Sequence, residues 1–313
     1  MSDRETASDR KAARRASLLS PRLSVDEAIV VILTSSQAEL ITALRAALDR
    51  PMPETVHGLR VALRRLRAAL ALTKRWADTE ALHDIQRDAK ALSDALRETH
   101  HWDILISTTL ERHREALAGI ADVTPLIEGA ASARHDGYQR VRALLDGQLP
   151  QKLLLGLALV LSQQRWRGEG NKLAKRLSIR VGERAKRDVA RADKRLKASG
   201  KRIERLADEA RNELGAGANS LGHTIDFLEP IWQRSKKIGR YRDRVRALQT
   251  SLGALGDAQS TQQLLNRIAE DDHSPAIQRA VGAIAGWSAR DKVERLTALE
   301  AIWRDFRTAK RFW

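Results

Sequence analysis

The chain has 313 residues and a formal net charge of +16 at pH 7, with 56 lysines and arginines against 40 aspartates and glutamates. A positive excess of this size favours anionic partners, such as nucleic acids, inorganic polyanions or anionic lipid surfaces. No cysteine is present, which excludes disulfide bonds, thiolate metal sites and cysteine nucleophiles and favours a reducing compartment.

The beginning of the chain is polar and of mixed charge, so we expect residues 1–22 to form a disordered tail. These residues contain no apolar core of the kind that a signal peptide needs. The longest apolar run, at residues 153–161, is far short of the ~20 residues that span a bilayer. We therefore expect a cytoplasmic protein that does not insert into a membrane.

From Leu23 onward, nearly every segment has the periodicity of an amphipathic helix and is rich in Ala, Leu, Arg and Glu. Proline and glycine interrupt this pattern, most clearly around residues 51–53, 147–150 and 271–275. No strand pattern and no glycine-rich phosphate loop is visible. Helices of about 15 to 30 residues between short breaks predict an all-α bundle fold.

Residues 56–67 form the most distinctive helical segment, because they contain one histidine and four arginines and no acid. At 100° per residue His57, Arg60, Arg64 and Arg67 share one side of the helix, and Lys74 extends this line. Leucines at positions 59, 63, 66 and 70 share an adjacent side that can face a core. Like charges at this spacing destabilise an isolated helix by about 0.2–0.5 kcal/mol per pair, so their accumulation indicates a polyanion ligand. The candidate binding residues are His57, Arg60, Arg64, Arg65, Arg67 and Lys74. For His57 the alternative is a hydrogen bond to neighbouring backbone at the start of the helix.

A second basic segment covers residues 165–202, where fifteen lysines and arginines outnumber four acids. Its cations recur at helical spacing and form a continuous stripe. We predict that this stripe takes part in anion binding through Arg176, Arg180, Arg184, Arg187, Arg191 and Lys194. The alternative is an ordinary solvated helix face.

An internal repeat with an offset of about 155 residues relates the two parts of the chain. Trp76 corresponds to Trp232, and Leu59 and Leu66 correspond to Leu214 and Leu221. A repeat of this length is large enough for a four-helix unit. We therefore predict two four-helix-bundle halves, residues 23–155 and 156–313, related by a pseudo-two-fold axis.

The second half lacks the basic residues that the repeat would place there. Its corresponding positions carry Asn212, Gly215, Asn219, Ser220 and Gly222. The leucine register survives, so the packing is retained while half of the cationic surface is missing. We expect an asymmetric site, in which arginines restored at positions 215 and 222 would tighten anion binding.

Residues 57–67 resemble the His-x-x-Arg-Val-x-x-Arg-Arg-x-Arg signature of the CHAD family, the conserved-histidine α-helical domain. The matching residues are His57, Arg60, Val61, Arg64, Arg65 and Arg67. Residues 100–104 stand where the family has Arg-Asp-x-Asp-Val and keep only the second aspartate, Asp103. Leu252-Gly253 and Asp257 resemble the corresponding element of the second half. The resemblance covers about residues 24–313.

The resemblance implies two related four-helix bundles around a basic groove, whose surface binds inorganic polyphosphate without catalysis. Physical chemistry is compatible with this ligand, because a polyphosphate chain has no bases to read and the forked guanidinium of arginine suits phosphate oxygens. We therefore expect a non-enzymatic protein that binds polyphosphate, needs no cofactor and associates with polyphosphate granules.

Nucleic acid is the main alternative partner, although the sequence has no helix-turn-helix, zinc-finger or RNA-recognition signature. A metal-dependent bundle enzyme could use His100, His101 and Asp103, but the Glu-x-x-His pairs of di-iron bundles are absent. A phosphohydrolase would need paired acids that hold Mg²⁺ beside the cations, and no such cluster is apparent. We accordingly expect no metal site.

Overall fold

The computed structural model describes residues 19–313 apart from residues 118, 169 and 233–234. Within these residues all regular elements are helical and there is no strand. The prediction of an all-α fold is confirmed. Residues 1–18 of the predicted tail lie outside the described part of the chain.

The α-helices are α1 Val25–Asp49, α2 Pro53–Trp76, α3 Glu80–Ala95, α4 Arg97–Ile104, α5 Glu111–Leu117, α6 Thr124–Asp146, α7 Gln148–Ser162, α8 Asn171–Leu177, α9 Val181–Ser199, α10 Asp208–Leu228, α11 Lys236–Asp271 and α12 Pro275–Arg307. A π-helical segment, Leu105–Leu110, connects α4 to α5. Helix starts follow local chemistry: Ser24 and Glu27 form a reciprocal capping box before α1. Prolines occupy the first turns of α2 and α12, where their missing N–H group costs nothing.

Two apolar cores hold the helices together. The larger core is built from α1, α2, α3, α7, α9 and α10, together with the last parts of α6, α8 and α12 and the first part of α11. The smaller core joins α4, the π-helical segment, α5 and α6 to the far end of the α11–α12 hairpin. The hairpin and α6 therefore contribute to both cores.

Helix α2 is oriented by its leucines. Leu59, Leu63, Leu66 and Leu70 are all 0% exposed in the larger core, as the periodicity predicted. Each buried leucine side chain contributes about 1.5–3 kcal/mol relative to an exposed one. Because this face is fixed in the core, the adjacent basic face of α2 is directed away from it.

The order of the helices bears on the expected repeat. Helices α1, α2 and α3 begin at residues 25, 53 and 80, and α9, α10 and α11 begin at residues 181, 208 and 236. These starts differ by about 155 residues, the offset inferred from the sequence. The expected boundary between residues 155 and 156 lies inside α7. The division into two bundles and their pseudo-two-fold relation remain predictions.

Residues 19–22 differ from the expectation for the tail. Leu19 is 4% exposed and belongs to the larger core. The start of α9 holds the residues that follow, since the Gly182 N–H donates to the Pro21 carbonyl (3.3 Å) and the Val181 N–H donates to the Leu23 carbonyl (2.8 Å). Contacts with a distant segment therefore hold residues 19–22 against the folded helices, before the first helix begins.

Helix α1 is long and apolar enough to cross a bilayer, and so is the bent pair α6–α7 if it is counted as one span. A core helix of a soluble protein has the same properties, and Ile29, Leu33 and Leu40 of α1 are buried in the larger core. The absence of membrane insertion stays a prediction.

Candidate functional site

The basic side of α2 meets α4 in a group of histidines and arginines. The ring centroids of His57 and His100 are 5.2 Å apart, and those of His100 and His101 are 6.4 Å apart. Arg60 and Arg64 lie close enough to perturb these imidazoles electrostatically. We call these five residues, His57, Arg60, Arg64, His100 and His101, the histidine cluster.

The imidazoles of the histidine cluster are held neutral. Burial and the charge of Arg60 lower the pKa of His100 to about 3, and the same two causes lower the pKa of His101 to about 4. Partial burial, Arg64 and Arg60 lower the pKa of the more exposed His57. At neutral pH the positive charge is therefore carried by arginine, while the histidines offer neutral hydrogen-bonding groups.

Arg60 is the centre of this charge distribution. Burial lowers its pKa to about 10, with further lowering by Arg97 and Arg64, while Asp257 and Asp94 act in the opposite direction. Arg97 itself is paired with Asp94. Burial also raises the pKa of Asp257 on α11, against the influence of Arg60. The tertiary structure thus brings the signature of α2 near the Leu-Gly…Asp element of α11.

A fourth histidine approaches from α10. Burial, Arg64 and Arg65 lower the pKa of His223 to about 4. Its Nε2 atom is buried and has no hydrogen-bond partner among the described residues. The second half therefore does supply a histidine close to Arg64. This histidine directly follows Gly222, a position that the offset of about 155 residues did not identify.

Two of the predicted α2 residues make other contacts. The Nε atom of Arg65 lies 3.1 Å from Glu39 Oε2 on α1, and its guanidinium lies over the Phe227 ring at 5.0 Å. Lys74 Nζ lies 3.0 Å from His83 Nδ1 at the start of α3. Both side chains therefore connect α2 to its neighbours. Arg67 is half-buried and lowers the pKa of Asp94 as one of several contributing charges.

The predicted stripe of α8 and α9 separates into two groups. Arg184 and Arg176 donate to the carbonyl oxygen of Arg75, at 2.8 and 3.3 Å, and Arg184 Nε also donates to Asp188 at 3.0 Å. Arg187 and Lys194 are exposed and make no ion pair with another described residue. Arg180 is exposed immediately before α9, and Arg191 is exposed within it. Arg184 and Arg176 thus connect helices, while the other four cations remain accessible.

Two further arginines were missed by the sequence analysis. Arg75 of α2 and Arg195 of α9 line a cleft of about 200 Å³ together with Arg191. Arg75 follows His57 by 18 residues, which is five turns of an α-helix, so it lies on the same line as His57 and Arg64. Helical periodicity could have identified it, whereas Lys74 was chosen to extend the line.

The positions that replace the second basic motif take part in packing. Asn212 and Asn219 of α10 are hydrogen-bonded to Gln259 and Gln249 of α11, both at 3.0 Å. At Gly222, which is buried, an added Cβ would lie 2.6 Å from the Gln249 amide nitrogen. An arginine at position 222 therefore faces the α10–α11 interface. We now expect it to destabilise the fold rather than to tighten anion binding, because the buried side chain displaces the Gln249 amide from its hydrogen bond to Asn219.

The described residues contain no group of three or more histidines, aspartates and glutamates that could hold a metal ion. The site is instead a set of guanidinium and neutral imidazole groups on a rigid helical frame. Such a set can bind phosphate oxygens through charge-assisted hydrogen bonds.

Comparison with known proteins adds a family model described as CHAD domain, which matches residues 32–266. The crystal structure of the CHAD domain from the plant Ricinus communis has a TM-score of 0.76 and 22% sequence identity, and the match covers 94% of this chain and 95% of that one. PptA from Streptomyces chartreusis has a TM-score of 0.61 and 14% identity, over 91% of this chain and 99% of that one. No curated protein matches the sequence. The two structural similarities show a common fold.

Proposed function

The chain belongs to the CHAD domain family, and on that premise we propose that it binds inorganic polyphosphate through its basic helical surface without catalysing a reaction on it. The observation that carries this proposal is the histidine cluster, where Arg60 and Arg64 lie beside three imidazoles with lowered pKa values. Each guanidinium can contact two phosphate oxygens, and each neutral imidazole can donate one further hydrogen bond.

Charge supports the same ligand class. Mutual repulsion and burial around Arg60 are unfavourable in the free protein, as its pKa of about 10 indicates. A polyanion that places its charges between these cations relieves the repulsion. The exposed cations of α9 extend the basic surface, so a long chain can make contacts beyond the cluster. Release of counterions from the chain then favours binding and makes the affinity strongly dependent on salt.

The decisive experiment is a titration of the protein with polyphosphates of several chain lengths at two salt concentrations. The variant Arg60→Ala/Arg64→Ala removes two charges from the histidine cluster. The matched control, Arg142→Ala/Arg279→Ala, removes two charges from exposed positions on α6 and α12. We expect the cluster variant to lose at least about tenfold in affinity and the control less than about twofold. Equal affinities of the two variants would refute the proposed site.

Nucleic acid is the alternative ligand, and competition separates the two. Long-chain polyphosphate is expected to displace bound DNA or RNA, while an equal charge concentration of nucleic acid displaces polyphosphate poorly. The opposite order would favour nucleic-acid binding.

The absence of catalysis is tested by incubating the protein with polyphosphate and Mg²⁺ and measuring released phosphate. Release above the level of a heat-inactivated sample would make the protein an enzyme. A fluorescent fusion is expected to collect on polyphosphate granules in the cytoplasm, and a diffuse signal for both wild type and Arg60→Ala/Arg64→Ala would contradict that localisation.

A further inference from the structure

A second basic cleft lies between α2, α9 and α10, apart from the histidine cluster. Arg75 comes from α2, Arg191 and Arg195 come from α9, and the cleft is also lined by the hydroxyl-bearing Ser199 and Ser220. Its volume of about 200 Å³ is smaller than a pocket for a drug-sized molecule. The cleft therefore has room for a compact ligand.

Arg75 is held in place on both its backbone and its side chain. Its carbonyl oxygen accepts hydrogen bonds from Arg184 and Arg176, at 2.8 and 3.3 Å. Its Nη2 atom donates to Ser220 Oγ at 3.2 Å. A guanidinium that is fixed before a ligand arrives loses little conformational freedom on binding.

The charge of the cleft is only partly balanced. Burial lowers the pKa of Arg75, and Arg195 and Arg191 lower it further, although Asp188 opposes them. Asp188 is fully buried and already accepts hydrogen bonds from Trp76 Nε1 (2.6 Å) and Arg184 Nε (3.0 Å). The other carboxylate at the cleft is that of Glu213. Three guanidinium groups and one available carboxylate give the cleft a net charge of about +2, which matches the charge of about −1.5 to −2 on a phosphate group.

The cleft and the histidine cluster occupy different stretches of α2. Arg75 lies eleven residues after Arg64, or about 16 Å along the helix axis at 1.5 Å per residue. A compact anion cannot contact both, whereas an extended chain can.

We propose that Arg75, Arg191 and Arg195 form a second anion site that binds a compact phosphate anion, either free in solution or as the end of a polyphosphate chain. The free-anion form stands without the proposed function, and the chain-end form rests on it. In the chain-end form, occupation of both sites by one chain raises the affinity through the effective concentration of the second contact.

The test uses calorimetric titration of the full chain with pyrophosphate and, separately, with long-chain polyphosphate. The variant Arg191→Ala/Arg195→Ala removes two exposed cations from the cleft. The control Lys186→Ala/Lys201→Ala removes two exposed cations from α9 and the turn that follows it. We expect the cleft variant to weaken pyrophosphate binding by about tenfold or more, and the control by less than about twofold, with both melting temperatures unchanged.

Equal losses in the two variants, or no binding of pyrophosphate to the wild type, would overturn the second site. If the cleft variant weakens long-chain binding more than the lysine control does, the chain end is a ligand, and if the two variants weaken it equally, the free anion is. Arg60→Ala/Arg64→Ala separates this proposal from the proposed function. Long-chain affinity that is unchanged in that variant refutes the role of the histidine cluster, whatever pyrophosphate does at the cleft.

Discussion

Replacement of His100 by glutamine is expected to reduce the dependence of stability on pH. Burial and Arg60 lower the pKa of His100 to about 3 in the folded protein. In the unfolded chain the imidazole titrates near its ordinary pKa of about 6.5. As the pH falls below 6.5, the unfolded state therefore binds a proton that the folded state does not. The stabilising contribution is fully present above pH 6.5 and is lost as the pH falls toward 3.

The size of the effect follows from these two pKa values. His100 stays neutral in the folded protein down to about pH 3, so only the unfolded chain takes up a proton between pH 7.5 and 5.5. The resulting loss of unfolding free energy is about 1.4 kcal/mol. The ring is partly accessible to solvent, which screens the effect, so about 1 kcal/mol is a realistic expectation.

The assay is urea unfolding of the wild type and His100→Gln at pH 7.5 and pH 5.5. The wild type should lose about 1 kcal/mol more unfolding free energy between the two pH values than the variant does. Replacement of His135, which is exposed on α6, by glutamine controls for the loss of an imidazole elsewhere and should leave the wild-type difference unchanged. An equal loss in the wild type and His100→Gln would refute the burial of a neutral imidazole at this position.

Four further predictions follow from the same contacts. In Arg60→Ala/Arg64→Ala the slope of log K for polyphosphate against log salt concentration should be shallower by about 1.4, because two phosphate contacts are lost at about 0.7 each, the value for a single strand. Titrations between roughly 50 and 300 mM salt measure this slope. Wild-type affinity for polyphosphate should rise between pH 7.5 and 5.5, because a bound anion raises the pKa of each imidazole in the histidine cluster, and a fall would contradict this. Asp188→Ala should cost about 3–5 kcal/mol in urea unfolding, since it leaves Trp76 and Arg184 without their buried acceptor, while exposed Asp136→Ala should be nearly neutral. Gly222→Arg should lower the melting temperature without tightening binding, and tighter binding at unchanged stability would show that the side chain reaches the basic surface.

Local periodicity was sufficient to predict that the chain is helical and which face of α2 is buried. The spacing of Leu59, Leu63, Leu66 and Leu70 predicted a face that is fully buried. This works because the helical repeat of 3.6 residues is a property of the backbone, so residues that share a face can be identified without knowing what they pack against.

The contacts of individual cations could not be obtained in this way. Arg65 carries the same charge as Arg64 and is its neighbour in sequence, yet it pairs with Glu39 and covers Phe227. Arg184 belongs to the predicted stripe of α9 but binds the backbone of Arg75 and the buried Asp188. Which cations remain available depends on the partners that distant segments bring to them.

The sequence by itself determined the all-α fold, the family signature of α2 and the excess of positive charge. The tertiary structure decided how the charges are grouped: His100 and His101 approach His57, while Arg75 meets Arg191 and Arg195 in a separate cleft. The physical reason is range. Helix formation and amphipathic patterning depend on neighbours within a few residues, whereas desolvation and charge interactions depend on groups that are close in space and remote in sequence.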